Sequence, residues 1–402
     1  MVYLILLAPA CHAVLNFDRV AGIPVRAGAL LLLPLFALLS AFWSREPGES
    51  LYFGLQYMIT VAAGIFIGLT TERNSALLGL FIAFGGVTFS AFLAGIASGD
   101  IPHALATGIN YLGFTGSKNA FGDIGALTGL LSLSTMFAAT RARSYGLWFA
   151  AAASFAVSCL FVLVLSHSTG AIVGFGTGSS IILLLSVIAA LPEKGRLGMG
   201  IAGFAAILIV ALSSRYWMDI LMADLLQASG KDATLTGRTY IWERADVEIA
   251  RNPVFGVGYS AFWKIGNLDA EAIWRTMLIK NRTGFNFHST LYEIRVHLGL
   301  AGLVLYGAVA AAYAVILFVR NYVRPSDTGN FFCAIVVYEA ARLSYETIAV
   351  NSFHYSTLIV FAALAWGVRR AEPGPPRPGA APALTGKQPA GEIMRPRRAV
   401  NP

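Results

Sequence analysis

Hydrophobic residues in this chain are concentrated in long runs separated by short polar segments. About 11 of these runs are long enough to cross a bilayer, which takes about 17 to 25 residues. They cover roughly residues 2–17, 26–43, 51–70, 75–98, 119–139, 145–166, 168–191, 197–214, 298–319, 330–350 and 352–369. The pattern predicts an all-α polytopic membrane protein with about 11 to 12 transmembrane helices and one large, partly helical loop outside the membrane.

The overall composition agrees with this prediction. Hydrophobic residues make up 56% of the 402 residues and charged residues 12%, about half of the roughly 25% that is usual in soluble domains. This excludes intrinsic disorder and argues against a soluble cytosolic enzyme. The three cysteines lie in apolar runs and no C-x-x-C occurs, so neither a disulfide framework nor a zinc site is indicated.

The net charge of +8 would suggest a nucleic-acid partner in a soluble protein, but in a membrane protein it orients the chain. One set of alternate loops is rich in Lys and Arg, whereas the opposite short loops contain only Arg45 and Lys118. The positive-inside rule places the basic set in the cytoplasm. The basic set comprises Arg19, Arg26, Arg73, Arg141, Arg143, Lys194, Arg196, Arg320, Arg324, Arg369 and Arg370. The N-terminus and the segment 215–287 then face outward, and no nucleic acid is expected.

Four regions follow from the positions of the spans. Residues 1–214 are predicted to form about eight transmembrane helices, 215–287 an extracytoplasmic loop domain, and 288–370 about three further transmembrane helices. The last region, 371–402, is rich in Pro, Gly and Ala and is predicted to be a disordered basic cytoplasmic tail. Its end, Arg395–Arg398, could instead contact anionic lipid, although a solvated tail is the favoured interpretation.

Several polar side chains are expected at the outer ends of the spans. Lys118 and Asn119 open the fifth span, and His167 lies in the turn between the sixth and seventh. Each could serve a function, because ionisable groups within a membrane are costly and are usually retained for a purpose. A Lys or His near a span end is, however, more often an interfacial anchor.

A second group lies in the tenth span. Glu339, Arg342 and Glu346 follow i, i+3 and i+4 spacing, which predicts one shared helical face. Glu346 is nearest the outer end, and His354 enters the next span from the same side. The group could line a substrate path, or it could be an internally neutralised structural pair; the two interpretations carry equal weight.

Within the outer loop, residues 236–251 are predicted to form a helix with Thr236 as N-cap and Asn252-Pro253 as its stop. Arg238 falls on the same stripe as Trp242, so its side chain is expected to point toward the protein. A guanidinium in that position can bind a phosphate or pyrophosphate through two hydrogen bonds. The alternative is a buried salt bridge to a loop carboxylate.

The chain then re-enters the membrane at His288-Ser289. An unperturbed imidazole titrates near neutrality, so His288 could act as a general base, although an interfacial hydrogen-bonding role is the default. The preceding segment Phe255–Phe262 contains a G-x-G that lacks the strand–helix context of a nucleotide site and predicts a tight turn. Gly299 and Gly302 are small residues that allow close helix approach.

Three stretches together resemble the O-antigen ligase/polymerase-like superfamily of membrane glycosyltransferases. Thr236-Gly-Arg238 with Trp242 and Asn252-Pro253-Val-Phe-Gly256-Val-Gly258 resembles the family's GR…W…P-x-F-G-x-G loop. His288-Ser289, nine residues and Gly299-x-x-Gly302 resemble its H-[N/S]-x9-G-x-x-G pattern. Ser44 and the stretch Phe114–Gly122 resemble weaker signatures. The resemblance covers about residues 26–370 and is greatest to exopolysaccharide-polymerase-like members.

The resemblance implies glycosyl transfer on the periplasmic side of the bacterial inner membrane. Arg238 and His288 would be catalytic, and Lys118, Asn119, His167, Arg342 and Glu346 are the candidates for binding pyrophosphate or glycan. The donor would be an undecaprenyl-pyrophosphate-linked oligosaccharide. The acceptor would be another O-antigen or exopolysaccharide repeat unit for a polymerase, or the lipid A-core of lipopolysaccharide for an O-antigen ligase. No cofactor and no metal are expected.

Further partners implied by the resemblance are the membrane lipids and a chain-length regulator or export machinery. Two departures from the family stand out. Thr169 follows Ser166-His-Ser168 where family members often have an arginine, so Lys118, His167 and Arg342 are the candidates to replace it. The family also commonly has about 12 spans with both ends cytoplasmic, which leaves an additional N-terminal helix open. A lipid-linked glycan transporter or flippase is the alternative from a different functional class.

Overall fold

The computed structural model describes residues 25–192, 194–196, 198–199, 237–280, 282 and 285–369, and all regular structure in these residues is helical. The predicted span 2–17, most of the span 197–214, the segment 215–236 and the tail 371–402 lie outside the described residues. The α-helices are α1 (Leu32–Leu39), α2 (Pro47–Thr70), α3 (Arg73–Ala97), α4 (Asp100–Thr107), α5 (Lys118–Ala142), α6 (Tyr145–Cys159), α7 (Thr169–Ala190), α8 (Arg238–Arg251), α9 (Leu268–Thr276), α10 (Thr290–Val323), α11 (Asp327–Ala340) and α12 (Tyr355–Val368).

Six helical segments in the described residues are long and apolar enough to span a membrane, which confirms the predicted polytopic all-α class. They are Pro47–Thr70, Ser75–Ala97, Lys118–Ala142, Tyr145–Leu165, Thr169–Ala190 and Thr290–Val323. The fourth of these includes a π-helical turn, Leu160–Leu165, that extends α6. Two shorter apolar segments, Ala27–Phe42 and Tyr355–Val368, occupy further predicted spans.

The predicted tenth span, residues 330–350, is wrong in its outer half. Helix α11 ends at Ala340, and its 14 residues extend only about 21 Å at 1.5 Å per residue. Thr290 explains the end: its backbone N–H donates to the carbonyls of Leu343 (2.9 Å) and Glu346 (3.0 Å). These tertiary bonds hold the following residues in a turn. We call residues 341–354, between α11 and α12, the connecting turn.

Helix α5 lies at the centre of the bundle. In an apolar stretch of 18 residues of α5, 72% are buried, the largest share among the six spans. It packs against α3, α6, α7 and α11. Small residues permit this packing, because a Cβ atom added to Gly129 would lie 2.5 Å from the Phe175 ring. Between α2 and α12, a Cβ atom at Gly68 would lie 2.2 Å from the Ala362 carbonyl oxygen. Small residues at membrane helix interfaces allow such close backbone approach.

Contacts between loops agree with the predicted alternation of the loops between two ends. At the predicted outer end, Arg45 donates two hydrogen bonds, of 3.0 and 2.5 Å, to the buried carboxylate of Glu248 in α8. At the predicted inner end, Arg141 pairs with Asp327, and Arg369 donates to the Thr71 carbonyl at 3.0 Å. Segments predicted to lie on the same side of the membrane therefore contact one another.

Helix α10 is broken at Gly299, which has φ 67° and ψ −164°. Beyond the break, the N–H groups of Leu300 and Ala301 have no carbonyl of the preceding turn to bond. They donate instead to the carbonyls of Pro253 (2.9 Å) and Val254 (3.0 Å). The loop after α8 thus caps the membrane-spanning part of α10, which satisfies donors that a helix start leaves free.

The same loop also pairs with the residues before the break. Val257 N–H donates to the Val296 carbonyl and Gly258 N–H to the His297 carbonyl, both at 2.9 Å. Gly256 and Gly258 have φ of 68° and 103°. The predicted turn is found on either side of this G-x-G, where Gly256 N–H donates to the Asn252 carbonyl and Ala261 N–H to the Gly258 carbonyl, both at 3.2 Å. The Pro-x-Phe-Gly-x-Gly stretch and the broken α10 therefore form one interlocked unit that positions the start of α10.

The N-terminal signature around Ser44 packs onto this unit. Ser44 Oγ lies 2.7 Å from Ser50 Oγ, which donates to the Tyr259 carbonyl at 2.8 Å. Trp43 Nε1 donates to the Phe255 carbonyl at 3.0 Å. A Cβ atom at Gly258 would lie 2.1 Å from Ser44 Oγ, so this glycine is required by contact as well as by its φ.

Candidate active site

His288 lies immediately before α10 on a backbone segment that is held from three directions. Its N–H donates to Asn286 Oδ1 at 2.8 Å, and the N–H of Phe287 donates to Glu293 Oε2 at 2.8 Å. The Phe287 carbonyl accepts from Trp242 Nε1 at 2.9 Å. His288 itself has a φ of 51°, in the left-handed region that non-glycine residues rarely adopt. Such local strain is stable only where the surroundings hold it.

Thr290 ties this segment to the connecting turn. Its hydroxyl donates to the Glu346 carbonyl at 2.7 Å and accepts from the Ile348 N–H at 2.8 Å. With the two bonds of its backbone N–H, Thr290 connects the start of α10 to the turn between α11 and α12. The position of His288 relative to Glu346 therefore depends on Thr290.

The imidazole of His288 is largely enclosed, and its Nδ1 atom has no hydrogen-bond partner among the described residues. Burial, together with the positive charge of Arg238, lowers the pKa of His288 from its ordinary value to about 4. Phe285 packs edge-to-face on the ring at 5.5 Å. His288 is therefore neutral at physiological pH, and a neutral imidazole has one nitrogen free to accept a proton.

Helix α8 agrees with the sequence prediction except at its start. Thr236, the predicted N-cap, lies outside the described residues; the helix begins at Arg238, after Gly237 with φ 87°. The predicted stripe is confirmed, since Ala245 and Ile249 are buried and Arg238 is 18% exposed through its side chain. The left-handed Gly237 turns the chain so that Arg238 starts the helix facing the protein.

Arg238 contacts the connecting turn. Its Nη1 donates to the Tyr345 carbonyl at 2.8 Å, and its Nη2 lies 3.6 Å from Glu346 Oε1. Asn119 Nδ2 donates to the same Glu346 oxygen at 2.9 Å, and Ser168 Oγ donates to Asn119 Oδ1 at 3.3 Å. Three predicted site residues, Arg238, Asn119 and Glu346, thus converge. Arg238 therefore forms a salt bridge, which was the alternative to phosphate binding. Its partner, the Glu346 carboxylate, lies in the connecting turn and not in the outer loop.

Arg342 belongs to a separate buried cluster. The predicted common helical face of Glu339, Arg342 and Glu346 is wrong, because α11 ends before Arg342. Arg342, only 4% exposed through its side chain, pairs with Asp123 (2.5 Å) and Glu339 (3.0 Å). Asp123 also accepts hydrogen bonds from the hydroxyls of Tyr338 and Tyr355. Arg342 and Glu339 therefore form a structural ion pair, to which Asp123 adds a second carboxylate.

The remaining candidates lie around this network. Lys118 is the first residue of α5 and is half-buried, and it makes no ion pair with another described residue. His167 is exposed, with φ 48°, in the turn before α7, and Thr169 is the first residue of that helix. His354 caps α12 by accepting from the Ser356 N–H at 3.3 Å. Lys118 adjoins Asn119 in the chain, which brings its backbone to the network.

Several residues of the site were missed by sequence reasoning. Asp123 is a carboxylate inside an apolar span, so the rule that selected Glu339 applies equally to it. Glu293 lies five residues after His288, in the first turns of α10, where an acidic residue is common at a helix start. Nothing in the local sequence distinguishes Thr290, because its partners lie more than fifty residues away.

Comparison with known proteins identifies two similarities. Residues 153–307 match the protein family described as O-antigen ligase. The chain is also 31% identical over 274 residues to the exopolysaccharide production protein ExoQ of Rhizobium meliloti (strain 1021). The aligned region covers 67% of this chain. Over these residues the chain is similar to the O-antigen ligase/polymerase-like family. It spans 60% of the length of that relative.

The family match covers part of the candidate site. Residues 153–307 contain Arg238, His288, the loop after α8 and the break in α10. Lys118, Asn119 and Glu346 lie outside the matched range. The two catalytic candidates therefore lie within the matched range. Asn119 in α5 and Glu346 in the connecting turn lie outside it, and Glu346 contacts both Asn119 and Arg238.

Proposed function

We propose that this protein is a membrane glycosyltransferase that polymerises exopolysaccharide or O-antigen repeat units. Its donor would be an oligosaccharide linked to undecaprenyl pyrophosphate, used on the periplasmic face of the bacterial inner membrane. The observation that supports this best is that the guanidinium of Arg238 lies near enough to the imidazole of His288 to help lower its pKa, while Arg238 and Thr290, two residues after His288, both bond to the connecting turn. The printed name of the relative, exopolysaccharide production protein, supports a polymer product.

The two side chains supply complementary chemistry for such a transfer. An acceptor hydroxyl attacks the anomeric carbon of the donor while His288 takes its proton, an effect typically worth about 10²- to 10⁴-fold. The bond between that carbon and the pyrophosphate oxygen breaks, and the electron pair leaves with the phosphate. Arg238 stabilises the charge that develops there. A single direct displacement of this kind inverts the configuration at the anomeric carbon.

Arg238 can exchange its partner for the donor. Its ion pair with Glu346 is long, at 3.6 Å, and both side chains are about one-fifth exposed, at 18% and 19%. A pyrophosphate accepts two hydrogen bonds from one guanidinium and would replace the single carboxylate contact. We propose Lys118 as the second cation, because Arg342 is already compensated by two carboxylates. Asn119 and Glu346 would position the two cations.

Purified protein in detergent, supplied with lipid-linked oligosaccharide, tests the reaction directly. No membrane barrier exists there, so elongation of the glycan reports an enzyme rather than a flippase. We expect His288→Ala and Arg238→Ala each to lower turnover by at least about 10²-fold. His103→Ala, at an exposed position of α4, is the matched control and should be fully active. Full activity of both site variants would refute the assignment.

Metal independence is part of the proposal. The arginine clamp takes the role that a divalent cation plays in many other phosphate-transfer enzymes, and the outer loop has no D-x-D motif. We expect turnover to persist in excess EDTA. Loss of activity that Mg²⁺ or Mn²⁺ restores would contradict this part of the mechanism.

An O-antigen ligase is the second candidate, since the matched family carries that description. The glycans of a deletion strain separate the two. Single repeat units attached to lipid A-core indicate loss of a polymerase, whereas bare core with accumulated lipid-linked polymer indicates loss of a ligase. We expect the first result, or loss of the exopolysaccharide.

The proposed topology has the segment 215–287 in the periplasm and the tail 371–402 in the cytoplasm. Alkaline phosphatase inserted in the segment 215–287 should be active, because that enzyme matures only outside the cytoplasm. Green fluorescent protein fused after residue 402 should fluoresce. The opposite pattern of reporters would reverse the orientation and remove the site from the periplasm.

A further inference from the structure

A cavity of about 670 Å³ lies beside the candidate active site. Its walls come from the first half of α2, the loop 259–265, residues 285–286, the first turns of α10 and the end of the connecting turn. The volume falls within the range of about 300 to 1,000 Å³ that is usual for small-molecule sites. Neither Arg238 nor His288 lines it. The cavity is therefore distinct from the charged network to which Arg238 belongs.

Two residues connect the cavity to His288. Asn286 lines the cavity, and its Oδ1 atom accepts the backbone N–H of His288 at 2.8 Å. Phe285 also lines it and packs its ring edge-to-face on the imidazole at 5.5 Å. A molecule bound in the cavity would thus contact the segment that presents His288.

The lining matches the chemistry of a neutral sugar. Aromatic side chains such as Phe53 and Trp263 offer faces on which the C–H groups of a sugar ring can pack. Amides such as Asn286 and Asn351 offer hydrogen bonds to its hydroxyls. The lysine and the arginine in the described wall, Lys264 and Arg282, are already paired, with Glu49 and with Glu271. This cavity is accordingly better suited to hydroxyl groups than to a pyrophosphate.

His297 supplies the most specific polar group. It is 4% exposed and lines the cavity, and its Nε2 atom has no hydrogen-bond partner among the described residues. Its Nδ1 atom lies 3.7 Å from the Glu293 carboxylate. Buried polar atoms in folded proteins nearly always have a partner, so the unpaired Nε2 of a residue in the cavity wall is the candidate to bond a ligand group once the side chain turns toward the cavity.

We propose that this cavity binds the sugar unit that carries the acceptor hydroxyl, with His297 Nε2 hydrogen-bonded to that sugar. The assignment to the acceptor, rather than to the donor, rests on the proposed function. The donor carries a pyrophosphate that needs the Arg238 cluster, whereas the acceptor must bring a hydroxyl to His288. The shared residues Phe285 and Asn286 place the cavity next to that base.

A binding experiment tests the cavity independently of transfer. The probe is the repeat-unit oligosaccharide released by hydrolysis of the host's own exopolysaccharide, titrated into the full-length protein in detergent and followed by calorimetry. We expect His297→Phe to weaken binding about 5- to 10-fold, as for one lost hydrogen bond. His297→Gln can present an amide nitrogen near the Nε2 position and should restore most of the affinity. His103→Phe, on the exposed surface of α4, is the matched control.

Folding is monitored by thermal unfolding of each variant. If His297→Phe does not fold, Asn351→Ala takes its place, because Asn351 lines the cavity and its amide makes one long bond, of 3.4 Å, to the Thr347 carbonyl. Weaker binding by the folded cavity variants, with an unchanged His103→Phe, supports the proposal. No binding by the wild type, or equal affinity of the cavity variants, overturns it.

His288→Ala separates this inference from the proposed function. Because His288 does not line the cavity, the variant should bind the oligosaccharide normally and lose transfer. Transfer by the wild type without cavity-dependent binding would overturn the cavity assignment alone. Cavity-dependent binding without any transfer would overturn the proposed function and, with it, the acceptor role of the bound sugar.

Discussion

Gly299→Ala is predicted to be the most informative single change, because it tests whether the break in α10 is required. Gly299 has φ 67° and ψ −164°, a region that is essentially restricted to glycine. A Cβ atom there would lie 2.2 Å from the Val254 carbonyl oxygen and 2.3 Å from its carbon. Both are main-chain atoms and cannot rotate away. The substitution therefore forces either the break or the loop after α8 to move.

The expected cost follows from two contributions. The backbone conformation costs a non-glycine residue about 1 to 3 kcal/mol. Displacing the loop also loses the bonds from the N–H groups of Leu300 and Ala301 to Pro253 and Val254, at about 1 kcal/mol each. We therefore expect the free energy of unfolding to fall by about 3 to 5 kcal/mol. Turnover should fall further, because His288 lies immediately before the first turns of α10.

Gly307→Ala is the matched control on the same helix. A Cβ atom at Gly307 has nothing within 4 Å, and alanine in a helix interior is favoured over glycine by about 0.5 to 1 kcal/mol. The two variants should thus shift stability in opposite directions. SDS titration of the purified proteins measures the free energy of unfolding. If Gly299→Ala unfolds at the same SDS fraction as the wild type, the interlocking of α10 with the loop is refuted.

Three further predictions follow from the site. Because the pKa of His288 is lowered to about 4, the imidazole stays neutral above about pH 5. We therefore expect turnover to fall as the pH drops through 4 rather than through 6.5. A pH–rate profile in which turnover falls at pH 6.5 would contradict this. Asp123→Asn removes one of the two carboxylates on buried Arg342, which keeps Glu339 at 3.0 Å, and should lower the free energy of unfolding by about 1.5 to 3 kcal/mol. Tyr338→Phe removes one hydrogen bond to the same carboxylate and should cost about 1 kcal/mol. Equal costs in SDS titration would show that the charge is unimportant. Thr290→Val removes both hydroxyl bonds to the connecting turn and should lower the free energy of unfolding by about 2 kcal/mol and also lower turnover. Thr140→Val, at an exposed position of α5, should change neither. Unchanged turnover in the Thr290 variant would show that the connecting turn does not affect the site.

The site was only partly predictable, as Arg238 illustrates. Its inward position followed from the stripe it shares with Ala245 and Ile249, because helical periodicity is a local property. Its partner was not predictable, since Tyr345 and Glu346 lie more than a hundred residues away. His288 shows the same division. Its place where the chain re-enters the membrane was predicted, but the lowered pKa depends on burial and on the charge of Arg238.

The tenth span shows how a local pattern failed. Residues 330–350 are apolar enough to suggest one continuous helix, and the spacing of Glu339, Arg342 and Glu346 agreed with it. The helix ends instead at Ala340, because Thr290 from α10 bonds to the carbonyls of Leu343 and Glu346. Hydropathy measures how favourable a segment is in lipid, not which partners its backbone finds in the folded chain.

The sequence by itself determined which segments can span a membrane, the helix that carries Arg238, and the glycines of the turn after it. These features depend on neighbouring residues and on the free energy of transferring each side chain into lipid. Only the tertiary structure decided that α10 breaks at Gly299, that Asp123 compensates Arg342, and that a cavity lies beside His288. Each of these depends on hydrogen bonds or packing between residues far apart in the chain, which no local pattern records.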